Sequence, residues 1–158
     1  MKKLRVRIEI DSNIEEDEVI IKCKELTKSI QKIEETIQQE NQIINFTFYK
    51  DNIEYYIPLN TILFFETSEN EINAHTSNEI YKVKYKLYEL EEILPINFIR
   101  VSKSTILNVD HIFSIEKNLT ASSIVQFNKT HKQVYVSRNY YKKLKERINE
   151  RRNNYEKR

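Results

Sequence analysis

The sequence predicts a mainly β chain of the α+β class: an antiparallel β-sheet domain with short helices and a C-terminal helix, preceded by a small ββα extension. Three observations predict it. From Ile43 onward, short apolar-polar alternations are separated by turn residues, the period-two pattern of half-buried strands. The ten Tyr and seven Phe enrich this β-like part, as suits a pleated surface. Apolar stripes with helical spacing are confined to short stretches near 26–37, 87–94 and 141–148.

In chain order, LRVRIEI (4–10) alternates strictly and reads as a strand, and EVIIKC (18–23) reads as a second, across a polar, acidic loop at 12–17. Leu26, Ile30, Ile33 and Ile37 then recur at spacings of 4, 3 and 4, an amphipathic helix ending near Glu40. Residues 1–42 are thus expected to form a ββα extension. It is too small for a sound core of its own. It must pack on the rest of the chain or on another copy, which makes its helix a candidate dimer or partner surface.

The β part begins with INFTFYK and IEYYIP, a hairpin across Asp51-Asn52. Pro58 begins a short helical turn, and TILFFET follows as a buried strand. EINAHTS and EIYKVK continue the meander around Asn78. Leu87, Leu90, Ile93 and Leu94 mark a short helix stopped by Pro95. Strands are expected near 98–101, 104–108, 111–116, 122–127 and 133–136. Ser137 reads as the N-cap of a last helix with Tyr141, Leu144 and Ile148 facing inward. The charged tail 151–158 is expected to fray.

Composition narrows the function. At 158 residues the chain suits one domain with a small appendage. No run of about 18 apolar residues is present, so no transmembrane helix is expected. The N-terminus lacks the continuous apolar stretch of a signal peptide. Cys23 is the single cysteine, expected in a buried strand, and it fits a reducing cytoplasm. Glycine is absent. Turns needing positive φ must use other residues, Asn above all, with Asn52, Asn70, Asn78, Asn118 and Asn128 at expected turns. Gly-rich phosphate loops are ruled out, so a nucleotide-hydrolysing enzyme is not expected. His75, His111 and His131 are scattered without zinc-ligand spacing and read as structural or solvated. Glu91 and Glu92 point about 100° apart on a helix and do not converge. No catalytic residue, metal or cofactor is expected.

Charge is uneven. Residues 1–97 hold 12 Lys+Arg against 19 Asp+Glu, a net of −7; residues 98–158 hold 14 against 5, a net of +9. The basic part points to an anionic partner. Two blocks within it, FIRVSKSTILN (98–108) and YVSRNYYKKLK (135–145), each set a strand-like run against a polar cluster with one cation: Ser102-Lys103-Ser104 and Ser137-Arg138-Asn139. Hydroxyl, amide and cationic groups at strand ends and a helix start can hold phosphates and touch base edges. Lys142 and Lys143 extend the second block as a phosphate rail, while Lys82, Lys84 and Lys86 alternate on one strand and either extend the basic surface or blunt an edge.

These blocks, with FFETSEN (64–70) and YKVKYKLYELEEILP (81–95), resemble the LytTR domain of LytR/AlgR-type bacterial transcription regulators over about residues 44–150. The resemblance implies a mostly β fold that inserts loops into the DNA major groove, and two protomers on tandem half-sites. It implies DNA contacts at Arg138, at the turn Ser102, Lys103 and Ser104, and at the loop holding Asn70. The family's turn is commonly His-Arg-Ser; here Ser102 and Lys103 replace the first two. Lysine lacks arginine's rigid fork, which favours phosphate contact over base reading. The 42 residues upstream are too few for the roughly 120-residue β/α receiver common in the family, so a built-in receiver is not expected.

The resulting expectation is a cytoplasmic, sequence-specific double-stranded DNA-binding regulator, a homodimer without membrane insertion. Its DNA-binding residues are Arg138, Lys103, Ser102, Ser104, Asn139, Asn70, Lys142 and Lys143. The domains are 1–42, 43–150 and the tail 151–158. The alternative is a protein-interaction module, or an RNA-binding protein that stacks bases on its tyrosines.

Overall fold

A computed structural model describes residues 5–15, 17–41 and 46–156. The chain divides into two compact units, Met1–Ile37 and Gln38–Arg158. Helix α1 spans Lys28–Asn41, beginning in the first unit and ending in the first residues of the second. Thr27 caps it: its carbonyl accepts from the Gln31 N–H at 2.9 Å and its Oγ1 from the Ile30 N–H at 3.4 Å. Ile30 is buried, while Leu26 and Ile33 of the same stripe are exposed.

The two expected N-terminal strands do not form among the described residues. Val6, Ile8 and Ile10 alternate as a strand would, yet all are exposed. Alternation makes a strand only where a neighbour supplies ladder bonds and a face to cover, and a lone hairpin is marginal in water. Cys23, expected in a buried strand, is exposed for the same reason.

The second unit carries the β part. Strands β1 Phe48–Lys50, β2 Ile53–Tyr55, β3 Phe64–Ser68, β4 Glu71–His75, β5 Ile80–Val83, β6 Phe98–Arg100 and β7 Thr105–Asn108 form a seven-stranded sheet, ordered β2-β1-β5-β4-β3-β7-β6. Strands β8 Ile112–Glu116, β9 Ser123–Phe127 and β10 Gln133–Val136 form a second sheet, ordered β10-β9-β8. Every pairing is antiparallel. Helix α2 spans Leu87–Ile93 and α3 spans Arg138–Glu156. The expected strand and helix positions from 48 onward agree with these bounds to within a few residues.

Strand β3 shows why FFET is central. Adjacent strand residues face opposite ways, so Phe65 enters one core with Phe48, Ile72, Ile106 and Leu90 of α2. Phe64 enters the other, with Leu107, Val125, Phe127, Val136 and Leu144 of α3. Its ring stacks on Phe127 at 5.4 Å. Asn108, 1% exposed, joins the elements nearby. Its amide donates to the Ile62 carbonyl and its Oδ1 accepts from the Asn97 amide and the Asp110 N–H.

Turns without glycine are solved with more than Asn. Asp51 and Asn52 (φ 51° and 63°) close β1–β2, and Glu69 and Asn70 (φ 49° and 64°) close β3–β4. Positive φ at both central residues is the type I′ hairpin turn, whose twist matches the strands. Lys129 (φ 60°) takes the left-handed position after Asn128.

Helix α3 runs on to Glu156, through most of the stretch expected to fray. Side-chain anchors account for this. Arg151 forks onto Asp110 at 2.8–3.0 Å, and Arg147 donates to the Ile96 carbonyl and pairs with Glu150.

Candidate nucleic-acid interface

Four residues, 101–104, link β6 to β7. Val101 is fully buried and anchors the link, its N–H donating to the Thr105 carbonyl at 3.0 Å. Ser102 is half-buried, and Lys103 and Ser104 are exposed. The serines hold the turn's shape: the Ser104 N–H donates to Ser102 Oγ at 3.2 Å, and the two hydroxyls lie 3.3 Å apart.

Arg100 fixes the same turn from inside. Its Nε donates to the Ser102 carbonyl at 3.0 Å and its Nη2 to the Lys103 carbonyl at 2.6 Å. Its Nη1 pairs with Glu91 Oε2 of α2 at 2.9 Å. The sequence reading missed Arg100 and Glu91. The available signal was a lone cation in an otherwise apolar strand run, two residues before the serine.

Two backbone hydrogen bonds gather the motifs. The Ser137 N–H donates to the Val101 carbonyl at 2.9 Å, setting the start of α3 against the 101–104 turn. The Thr67 N–H donates to the Ser104 carbonyl at 2.8 Å, setting the end of β3, and so the Glu69-Asn70 turn, against the other side. Three segments far apart in sequence therefore meet at one end of the large sheet.

On α3, Arg138, Asn139, Lys142 and Lys143 are exposed. Spacings of four residues put Arg138 above Lys142 and Asn139 above Lys143, on the face opposite buried Leu144. The side chains of Lys103, Arg138, Asn139, Lys142 and Lys143 have no hydrogen-bond or ion-pair partner among the described residues. Other cations are already engaged. Lys82 bonds Glu71 at 2.5 Å, which raises its pKa, and Lys84 lies 4.2 Å from the centre of the Tyr49 ring. Lys86 lies beyond β5, and its backbone N–H donates to Glu89 Oε2 at 2.7 Å in the cap of α2.

Asn70 is exposed and its left-handed φ gives it a turn-forming task. Of the acidic residues around it, Glu71 is neutralised by Lys82, which leaves Glu69 as the exposed carboxylate of the turn. Tyr140 and Tyr141 are both half-buried against the second core. His75 is buried against Phe64, and His111 bonds the Asn60 carbonyl, so both are structural. No cluster of metal-ligating side chains occurs among the described residues.

The family model of the LytTr DNA-binding domain matches residues 53–149. The chain belongs to the LytTr DNA-binding domain family. Relatives described as uncharacterized HTH-type transcriptional regulators occur in Staphylococcus aureus. Those of strains NCTC 8325 / PS 47 and COL are each 31% identical over 147 residues, which is 92% of this chain and 98% of theirs. A solved LytTr DNA-binding domain from Bacillus cereus shares the fold, with a TM-score of 0.61 at 23% identity over 66% of this chain and 95% of that one. The activity of a LytTr domain is DNA binding. Five strands separate α1 from α2 and five more separate α2 from α3, so no helix-turn-helix pair exists among the described residues.

Proposed function

We propose that this LytTr protein regulates transcription in the bacterial cytoplasm by binding duplex DNA sequence-specifically through the end of the sheet where its three segments meet. The observation that carries this reading is the pair of backbone bonds, Ser137 to Val101 and Thr67 to Ser104, which bring the unpartnered cations Arg138 and Lys103 to one surface. Arg138 has the rigid planar fork that matches guanine or a phosphate. Lys103, a point charge at a turn, serves phosphate. Lys142 and Lys143 continue the phosphate contact along α3, and Ser102, Ser104 and Asn139 supply neutral donors. Asn70 contributes an amide at the flank.

Two protomers on tandem half-sites fit a surface this small, because linking two weak sites multiplies affinity. The N-terminal unit, with Leu26 exposed just before α1 and Ile33 exposed on it, is the part we assign to that homodimer. No described helix is long and apolar enough to cross a membrane.

The test is selection of duplexes from a random pool by the full-length protein, followed by titration of the winner against salt. An enriched motif, with log affinity falling linearly with log salt, is expected. Equal binding of single-stranded RNA, or no enriched duplex, overturns the reading.

A further inference from the structure

Between β8 and the later turns of α3 lies an open groove of about 490 Å³. Ile112, Phe113, Ile115 and Ile148 give it an apolar lining, and Lys145 and Arg152 border it. Among the described residues strand β8 is an edge strand, with β9 as its one sheet neighbour. A register shift between Ile112 and Ser114 bulges the strand at Phe113, whose side chain is 72% exposed. A strand edge beside an apolar groove is a surface on which an extended segment can add as a further strand. Neither Lys145 nor Arg152 has an ion-pair partner among the described residues. The segment that fits must therefore carry carboxylates next to branched apolar residues.

This chain contains such a segment. Residues 14–21 read IEEDEVII, and residues 11–18 hold five carboxylates and no Lys or Arg. Ile14, Val19, Ile20 and Ile21 are exposed, and no strand pairing forms in this stretch among the described residues. Among the described residues the segment combines high β-propensity with no ladder partner, which is the complement of a β8 edge with no second neighbour there. Its sign of charge is the complement of Lys145 and Arg152. The match to the Staphylococcus aureus relatives covers 92% of this chain, so it extends through this segment as well as through the DNA-binding domain.

We propose that the groove receives the N-terminal segment of a second copy. Residues 15–21 add as a strand to the free edge of β8, with Val19 and the isoleucines against Ile112, Phe113 and Ile148 and the carboxylates beside Lys145 and Arg152. The exchange is reciprocal, so each copy gives one segment and takes one, as closed twofold assemblies do. This deepens the homodimer reading and rests on it, while DNA plays no part in it.

Cys23 supplies the probe, being the single cysteine, exposed, and two residues beyond the segment. The full-length protein is labelled there with a benzophenone maleimide, irradiated at tens of micromolar, and the joined peptides are mapped by mass spectrometry. Sedimentation of the unlabelled protein is measured alongside. A sedimenting dimer is expected, with crosslinks of dimer mass falling within 109–116 or 145–152. Phe113→Glu, at an exposed position, is expected to cut that crosslink about tenfold, and so is the double charge reversal Lys145→Glu with Arg152→Glu. Adding Glu15→Lys and Glu18→Lys to the double reversal is expected to restore it. A sedimenting monomer overturns the homodimer reading and this proposal together. A dimer whose crosslinks fall elsewhere, or are all of monomer mass, overturns the groove alone.

Discussion

The backbone N–H of Ser137 lies 2.9 Å from the carbonyl oxygen of Val101. Val101 is fully buried and Ser137 immediately precedes α3, so this one bond couples the hydrophobic core to the helix that presents Arg138. The first residue of α3 is held in register with the 101–104 turn by main chain, independent of any charge on either side. The main-chain positions of Lys103 and Arg138 are thereby fixed relative to each other, so a ligand that both contact has only their side chains left to order.

Arg138→Ala is the most direct probe. Arg138 is exposed and unpartnered, so the melting temperature should be unchanged. Specific duplex affinity should fall by about 1–3 kcal/mol, with discrimination lost at one base position. Binding equal to wild type by a folded variant would rule Arg138 out as a base reader.

Lys103→Ala should behave differently. A phosphate contact carries no sequence information, so binding should weaken on all duplexes alike. The slope of log affinity against log salt should drop by about one. A changed base preference with an unchanged salt slope would mean that Lys103 reads a base.

Arg100 separates shape from charge at the same turn. Its guanidinium is committed to Ser102, Lys103 and Glu91, so it reaches the DNA only through the turn it holds. Arg100→Ala should lower DNA affinity about tenfold while leaving the salt slope near wild type. Arg100→Lys should not rescue it, because an ammonium cannot fork onto two carbonyls and a carboxylate. A drop of the salt slope by about one in Arg100→Ala would instead assign Arg100 a direct phosphate contact.

The legible parts of this molecule are those whose pattern and partner lie close in sequence. The strands from Phe48 to Val136 follow from period-two alternation between turns, and Asp51-Asn52 marks its own hairpin. Lys103 and Arg138 stood out because each is a cation set in a polar cluster beside an apolar run. Arg100 did not, because its role depends on Glu91 and on two carbonyls that only the folded chain brings to it. Residues 4–10 misled for the converse reason. Their alternation is that of a strand, but a strand is defined by its neighbour, and none is present among the described residues. The length of α3 was likewise hidden in tertiary anchors, Arg151 to Asp110 and Arg147 to Ile96.

His75 gives a pH dependence with a definite sign. Its ring stacks on Phe64 at 4.2 Å, with Nε2 2.7 Å from Glu66 Oε1 and Nδ1 3.3 Å from Lys132 Nζ. Lys132 Nζ also donates to the Glu79 carbonyl. These contacts suit a neutral ring that donates to Glu66 and accepts from Lys132. Burial is the main cause that holds the imidazole pKa below its ordinary 6.5; the Glu66 carboxylate opposes the shift and Lys132 adds to it. The unfolded chain, with an ordinary histidine, then binds more protons than the folded one between the lowered pKa and 6.5. Stability rises with pH across that window. The His75 contribution is therefore complete above about pH 6.5 and lost as the pH falls through the folded pKa. Urea midpoints measured from pH 7.5 down to 5 should fall more steeply for wild type than for His75→Gln, which keeps a donor and an acceptor but no titrating ring. Parallel midpoints would show that folding leaves the His75 pKa unshifted, and a ring resonance that titrates above 6.5 in the folded protein would show that the ring is held charged in its pocket.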